Sequence, residues 1–216
     1  MKNILKKVMF ALLSVILIIS PIKSYAKEVT NDSDNMSSQS AQNLKCNEER
    51  LWIDHVYWTR GFIVSDLSVL RDRDDVLRRL LKNQEDIGNS IKPYYGEEAG
   101  NKLTALLKEH IIIAGQVIDA AKRNNKTDLD NNNKIWYKNA DKIADFLSEA
   151  NPNYDNKQLK DMLHTHLKLV TDQVLARLSA NWKADIDAFD KGENHMINFA
   201  DVLTEGIIKQ FPEKFE

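Results

Sequence analysis

Apolar residues recur every three to four positions through most of the chain from residue 47 onward, which is the period of amphipathic α-helices. The first such segment has a 4-3-4 spacing formed by Leu51, His55, Trp58 and Phe62. No stretch alternates with a period of two, so strands are not expected. The pattern therefore predicts an all-α fold.

Prolines and capping residues divide this region into helices. Pro93, Pro152 and Pro212 lie where the helical period stops, because proline removes a backbone donor and restricts the residue before it. Asp155, followed three residues later by Gln158, has the pattern of a helix start. These signals predict an antiparallel bundle over residues 47–216, made of four long helices, an N-terminal helix and a short linking helix.

The first 26 residues have the three-part pattern of a secretory signal peptide. Lysines precede an apolar run over residues 8–19 that is interrupted only by Ser14, and Ser24-Tyr25-Ala26 forms a small-x-small cleavage site. The run of about 12 residues is short of the roughly 20 that a membrane-spanning helix needs. We therefore expect cleavage after Ala26, a secreted or extracytoplasmic protein, and no stable membrane span after cleavage.

Residues 27–46 are polar, rich in Ser, Asn and Asp, and free of aromatic residues, so the sequence predicts a flexible linker there. The single cysteine, Cys46, lies at its end and has no intramolecular disulfide partner. Without the four lysines of residues 1–26, 26 basic residues face 32 acidic ones. This mildly acidic balance gives no electrostatic footprint for nucleic acid.

The chain has no signature of a common enzyme class. It contains no glycine-rich phosphate loop, no Gly-x-Ser-x-Gly elbow and no His-Glu-x-x-His pair. Catalysis is therefore not the favoured class of function.

Several polar residues lie on or beside the apolar helix stripes. In an antiparallel hairpin, two residues that are equally far from the turn lie at about the same height, so reflecting a residue number through the turn gives the residue opposite it. Reflection of His110 through a turn near residue 125 leads to Asn139 or Asp141, and two further reflections lead to His166 and His195. An error of two residues shifts the height by only about 3 Å at 1.5 Å per residue. His55 is a less secure member of this set, because the short second helix prevents the comparison of heights from being carried back to it.

Imidazoles and a carboxylate in the middle layer of a bundle suit zinc, copper or iron. The candidate metal ligands are His55, His110, Asp141, His166 and His195. The alternative is that each histidine is a hydrogen-bonded core residue and that Asn139 satisfies a buried amide. Asp185 lies near a helix end, and we expect it to form a structural ion pair with Arg177.

The aromatic residues of the helices are predicted to pack in the core, with a wall for a flat ligand as the rival interpretation. This set is Trp52, Tyr57, Trp58, Trp136, Tyr137 and Trp182.

Five segments resemble a family of small bacterial helical proteins, most of them exported and without an assigned function. The segments are residues 51–60, 106–115, 136–147, 162–170 and 206–215. The resemblance implies a shared helical domain from about residue 50 onward, and it includes His55, His110, Asp141 and His166.

Two functions follow from these observations. The first is an exported helical-bundle protein that binds a transition metal through the histidine layer. The alternative is an interaction or structural module of the cell envelope, with a protein partner and no small ligand. The sequence does not define an oligomeric state.

Overall fold

The computed structural model describes residues 32–216, and the predicted signal peptide lies outside them. The described chain is all-helical and contains no strand, so the predicted fold class is confirmed. The elements are α1 (Asp32–Leu67), α2 (Arg73–Ser90), α3 (Lys92–Lys122), α4 (Lys126–Ala150), α5 (Asn156–Leu178), α6 (Trp182–Gln210) and a short 3-10 helix (Pro212–Lys214).

Each helix packs against the next one along the chain, and α6 returns to pack against α1. The core between them is formed by apolar side chains from all six helices, with Ile63, Leu80, Leu103, Ile143, Leu159 and Phe199 among the most deeply buried. The centre of this core is therefore reached from several helices at once. None of the described helices has the length and apolar character that crossing a bilayer requires.

The N-terminal helix starts earlier than the sequence pattern predicts. Residues 32–46, predicted as part of a flexible linker, form the first turns of α1. Leu44 is 7% exposed and belongs to the core, and Ala41 packs against it. Burial of this apolar face compensates the ordering of a polar segment, which composition alone does not reveal.

Local capping confirms the helix start predicted at Asp155. The Asp155 side chain accepts a hydrogen bond from the backbone N–H of Gln158 at the start of α5. At the start of α3, however, Pro93 lies inside the first turn, and the helix is interrupted at Gly96 with φ 84°. That backbone conformation favours glycine because it has no Cβ.

Two of the aromatic residues predicted in the core are on the surface instead. Trp52 and Trp136 are each 2% exposed, whereas Tyr57 is 55% and Trp182 is 56% exposed. Trp182 is the first residue of α6, where its indole ring lies against Arg177. A helix start with few neighbouring turns cannot enclose so large a ring.

Candidate functional site

Three imidazoles meet in the core, one from each of α1, α3 and α5. His55, His110 and His166 are 2%, 3% and 4% exposed. The Nε2 atoms of His55 and His166 are 3.4 Å apart, and the ring centroids of His110 and His166 are 6.3 Å apart. The structure therefore brings together three of the five predicted ligands, including His55, and we call these residues the histidine cluster.

His110 has a partner on both ring nitrogens. Its Nδ1–H donates to Asn139 Oδ1 at 2.7 Å, and its Nε2 accepts from Trp136 Nε1 at 3.1 Å. The Asn139 amide in turn donates to Glu109 Oε2 at 3.0 Å. These contacts fix a neutral imidazole with its proton on Nδ1, so His110 is a hydrogen-bonded core residue with no free lone pair for a metal.

His55 and His166, unlike His110, form a hydrogen bond with each other. Because two neutral imidazoles share one proton across the Nε2–Nε2 contact, one ring donates and the other accepts. Neither Nδ1 atom has a hydrogen-bond partner, although both are buried. Buried polar atoms without partners are uncommon in folded proteins and mark a strained, functional or ligand-binding position.

Gln84 of α2 lies beside this pair. Its Nε2 donates to Leu80 O at 2.8 Å and to Asn83 Oδ1 at 3.0 Å, while its Oε1 has no partner. The side chain is fully buried and raises the pKa of His55. The free carbonyl oxygen is therefore the group that can orient the His55 ring.

The environment keeps all three imidazoles neutral. Burial lowers the pKa of His55 to about 3, and the repulsion that a protonated His110 would exert lowers it further. Burial also lowers the pKa of His110 to about 4, against smaller opposing effects of Asn139 and Glu109. For His166, burial holds the pKa well below its ordinary value, and repulsion from His55, His110 and His195 in their protonated forms would lower it further. Neutral imidazole is also the form that binds metal ions.

Asp141 and His195 have partners of their own outside the cluster. The Asp141 carboxylate accepts a hydrogen bond from His164 Nε2 at 2.8 Å, and both side chains are more than a third exposed. His195 is half-buried, and its Nε2–H donates to Met162 O at 2.7 Å. The predicted five-ligand set is therefore not assembled. Among residues 32–216, no group of three or more His, Cys, Asp or Glu side chains is arranged to hold a metal ion.

A small cavity of about 20 Å³ borders His166 between α1, α5 and α6. Thr59, whose buried Oγ1 has no hydrogen-bond partner, and Gln173 also line it. The volume is close to that required by one water molecule, for which roughly 10–15 Å³ suffices. The histidine cluster is thus bordered by a space for about one water molecule, with Thr59, His166 and Gln173 as the polar residues of a mostly apolar wall.

Sequence reasoning missed a polar stripe on α1. Glu48, Trp52, His55 and Thr59 follow a 4-3-4 spacing, all are buried, and each carries a polar atom without a hydrogen-bond partner. Burial raises the pKa of Glu48 to about 7, against smaller lowering effects of Ser90 and Trp52. The regular spacing is the available signal, but the predicted start of the bundle at residue 47 places Glu48 at a helix end.

The fold and the site define the class: an all-α protein with a buried, uncharged histidine cluster. Comparison with known proteins adds no family to this description, because no protein-family model, curated protein or solved structure matches the chain. The resemblance to small exported helical proteins therefore stays a prediction.

Proposed function

We propose that this chain is an exported helical-bundle protein that binds one transition-metal ion between His55 and His166. The observation that carries the proposal is the 3.4 Å separation of the two Nε2 atoms. Two imidazole ligands, each about 2.05 Å from the metal, lie about 3.3 Å apart at a tetrahedral angle and about 4.1 Å apart when the ion lies on the line between them. A two-coordinate ion therefore needs the rings to separate by less than about 1 Å, and the proton of the contact moves to Nδ1 of the ring that donated it.

The surroundings of the pair support this assignment. Metal-bound histidines direct their second ring nitrogen to an acceptor, which holds the ring in place. On His55 that nitrogen is the unpartnered Nδ1, and Gln84, whose Oε1 is also unpartnered, is close enough to raise the pKa of this ring. His166 borders the cavity that contains Thr59 and Gln173.

The charge of the site favours copper(I) among the zinc, copper and iron ions expected from the sequence. A buried charge is costly in an apolar interior, and the solvation cost grows with the square of the charge. Both ligands are neutral, so they offset none of the charge of a divalent ion. A monovalent ion with two imidazole ligands is the form that this pair accommodates at the lowest cost.

The antiparallel arrangement predicted from the sequence fits this site. Short turns join consecutive helices, and contacts link the last turns of α1 and α3, where Lys122 Nζ donates to Asp66 O at 2.6 Å. In an antiparallel bundle of four long helices with an N-terminal and a linking helix, α1, α3 and α5 run in the same direction. Their histidines then lie at similar heights, which supports convergence in one layer.

Copper titration of the untagged mature protein tests the proposal. We expect one copper(I) per chain under reducing conditions, measured by elemental analysis and by competition with a chromophoric copper(I) chelator. His55→Gln and His166→Gln should each reduce the affinity at least tenfold, because either change leaves a single imidazole.

His164→Gln is the matched control, since His164 is partly exposed and bonded to Asp141. It should bind copper as the wild type does. Circular dichroism establishes that each variant is folded. Less than 0.1 copper per chain, or equal affinity in His55→Gln and His164→Gln, would refute the metal site.

A second function is favoured by exposed apolar side chains around the turn between α5 and α6. Leu175, Leu178, Trp182 and Ile186 are 42–56% exposed. Exposed apolar clusters of this kind mark protein-contact surfaces. This surface supports the alternative of an envelope interaction module.

We expect the wild type to co-purify one envelope protein at a fixed ratio and the Trp182→Ser variant to lose it. Ile135→Ser, which removes an exposed apolar residue of α4, is the control. Equal recovery with both variants would contradict a role of this surface.

A further inference from the structure

A separate cavity of about 60 Å³ lies between α3, α4 and α5. Its walls are mostly apolar and include Val117 and Ile118 of α3, Trp136 of α4, and Val170 and Val174 of α5. By the space that one water requires, the cavity has room for roughly four to six water-sized groups. It is therefore about three times larger than the cavity beside His166.

One polar atom in this wall has no partner. Asn133 lines the cavity, and its Oδ1 is buried without a hydrogen-bond donor. The other polar wall residue is Thr171, whose hydroxyl donates to Leu167 O of its own helix at 2.9 Å. The cavity is thus an apolar space with one unsatisfied acceptor in a residue of its wall. A buried acceptor left without a donor is costly, so a ligand that supplies one is favoured.

The cavity lies just under the protein surface. Leu175 forms part of its wall and is 51% exposed, and Leu129 and Thr171 beside it are partly exposed. Movement of the flexible Leu175 side chain is enough to open a path from solvent. Small-molecule sites typically have this composition, with apolar walls and a few placed polar groups.

We propose that this cavity binds a small neutral alcohol with an aliphatic body of about four carbons, whose hydroxyl donates to Asn133 Oδ1. The aliphatic body fills the space between Val117, Val170 and Val174, where a charged group would lose its hydration without compensation. The single acceptor selects a ligand with one donor. This site is independent of copper, since it shares no side chain with the His55–His166 pair.

Trp136 provides a direct readout. Its ring lines the cavity and its indole N–H donates to His110. Titration with 1-butanol, followed by the ¹H–¹⁵N signal of this indole, should give a saturable shift with a Kd on the order of 1 mM, as expected for so few ligand atoms. Xenon, observed by ¹²⁹Xe NMR, should bind the same cavity.

Two variants test the two parts of the proposal. Ala121→Leu places a larger side chain in the cavity wall and should abolish binding of both probes. Its matched control is Ala105→Leu at an exposed position of the same helix. Asn133→Leu should weaken 1-butanol binding at least fivefold and leave xenon binding intact, whereas Asn131→Leu, at an exposed position, should change neither.

The outcomes separate clearly. Absence of saturable binding of both probes, or equal binding by Ala121→Leu and Ala105→Leu, would overturn the cavity as a ligand site. Equal 1-butanol affinity in Asn133→Leu and the wild type would overturn recognition of the hydroxyl. Circular dichroism establishes that each variant is folded, and a xenon signal in Asn133→Leu shows that its cavity persists.

Discussion

Acidification of the metal-free protein is expected to lower its free energy of unfolding by at least about 2 kcal/mol between pH 7 and pH 4.5. The unfolded chain takes up protons near the ordinary histidine pKa of about 6.5. In the folded state the pKa of His55 is about 3 and that of His110 about 4, and the pKa of His166 is also well below 6.5. Below pH 6.5 the unfolded state therefore binds more protons, so stability present at neutral pH is lost as the pH falls.

His55 and His110 each account for a loss of about 2–3 kcal/mol at pH 4.5, and His166 acts in the same direction. Glu48 acts in the opposite direction, because burial raises the pKa of its carboxyl to about 7. Its contribution to stability is present at low pH and is lost as the pH rises through 7. Acidification therefore regains about 2–3 kcal/mol from Glu48, which offsets roughly one histidine, so the histidines outweigh it.

Urea denaturation in EDTA, followed by circular dichroism between pH 7 and pH 4.5, measures this dependence. His110→Gln should reduce the slope by about 1.4 kcal/mol per pH unit, because one titrating group is removed. His164→Gln, at a partly exposed position, should leave the slope unchanged. A stability that does not fall below pH 6, or equal slopes in His110→Gln and the wild type, would show that the cluster does not control acid stability.

The helices could be predicted because their signals are local. Side chains that cap a helix act within three residues, as Asp155 does on the N–H of Gln158 and Asn181 on that of Ala184. The first turns of α1 could not be predicted in this way. Their polar residues favour disorder by composition, and the burial of Leu44 depends on contacts with distant parts of the chain.

The sequence predicts the height of the candidate residues along the bundle, but it predicts only partly which of their side chains point toward the histidine cluster. Reflection through the turns placed residues 139–141 opposite His110, and Asn139 is the residue that bonds to it. Asp141 is two residues further along α4. At 100° per residue it therefore points to the opposite side, where it meets His164. The same reasoning applies to His195, which lies one residue before the buried Met196 and is turned about 100° away from it.

The position of Gln84 beside the histidines could not be predicted from the sequence. Its helix, α2, is short and charged, so counting residues from the turns does not give the height of Gln84 relative to residues of the other helices. Whether a buried glutamine faces a histidine or another core residue depends on how two helices are rotated against each other. That rotation is set by packing across the whole interface and leaves no local mark in the sequence.

Replacement of Asp185 with alanine is expected to destabilise the protein by about 3–4 kcal/mol. The Asp185 side chain is 2% exposed and accepts two hydrogen bonds from Arg60, at 2.7 and 3.0 Å, and one from Arg177, at 2.8 Å. The contact with Arg177 confirms the ion pair predicted from the sequence, and Arg60 adds a second partner. Loss of the carboxylate leaves two guanidinium groups, less than a quarter exposed, without their counter-charge.

Thermal and urea denaturation at pH 7 measure the effect, and Asp187→Ala is the matched control. Asp187 lies on the same helix, is largely exposed and pairs with Lys183, so its loss should cost less than about 1 kcal/mol. Similar stabilities of the two variants would contradict the structural role of Asp185.

The position of Asp185 connects this ion-pair network with the histidine cluster. Arg60 follows His55 by five residues on α1, and Arg177 follows His166 by eleven residues on α5. Since both guanidinium groups bind the same carboxylate of α6, they fix how far α1 and α5 are shifted along each other. A shift of one residue moves one ring by about 1.5 Å, which is enough to break the Nε2–Nε2 contact. We therefore expect Asp185→Ala to weaken copper binding as well as folding, and Asp187→Ala to leave both unchanged.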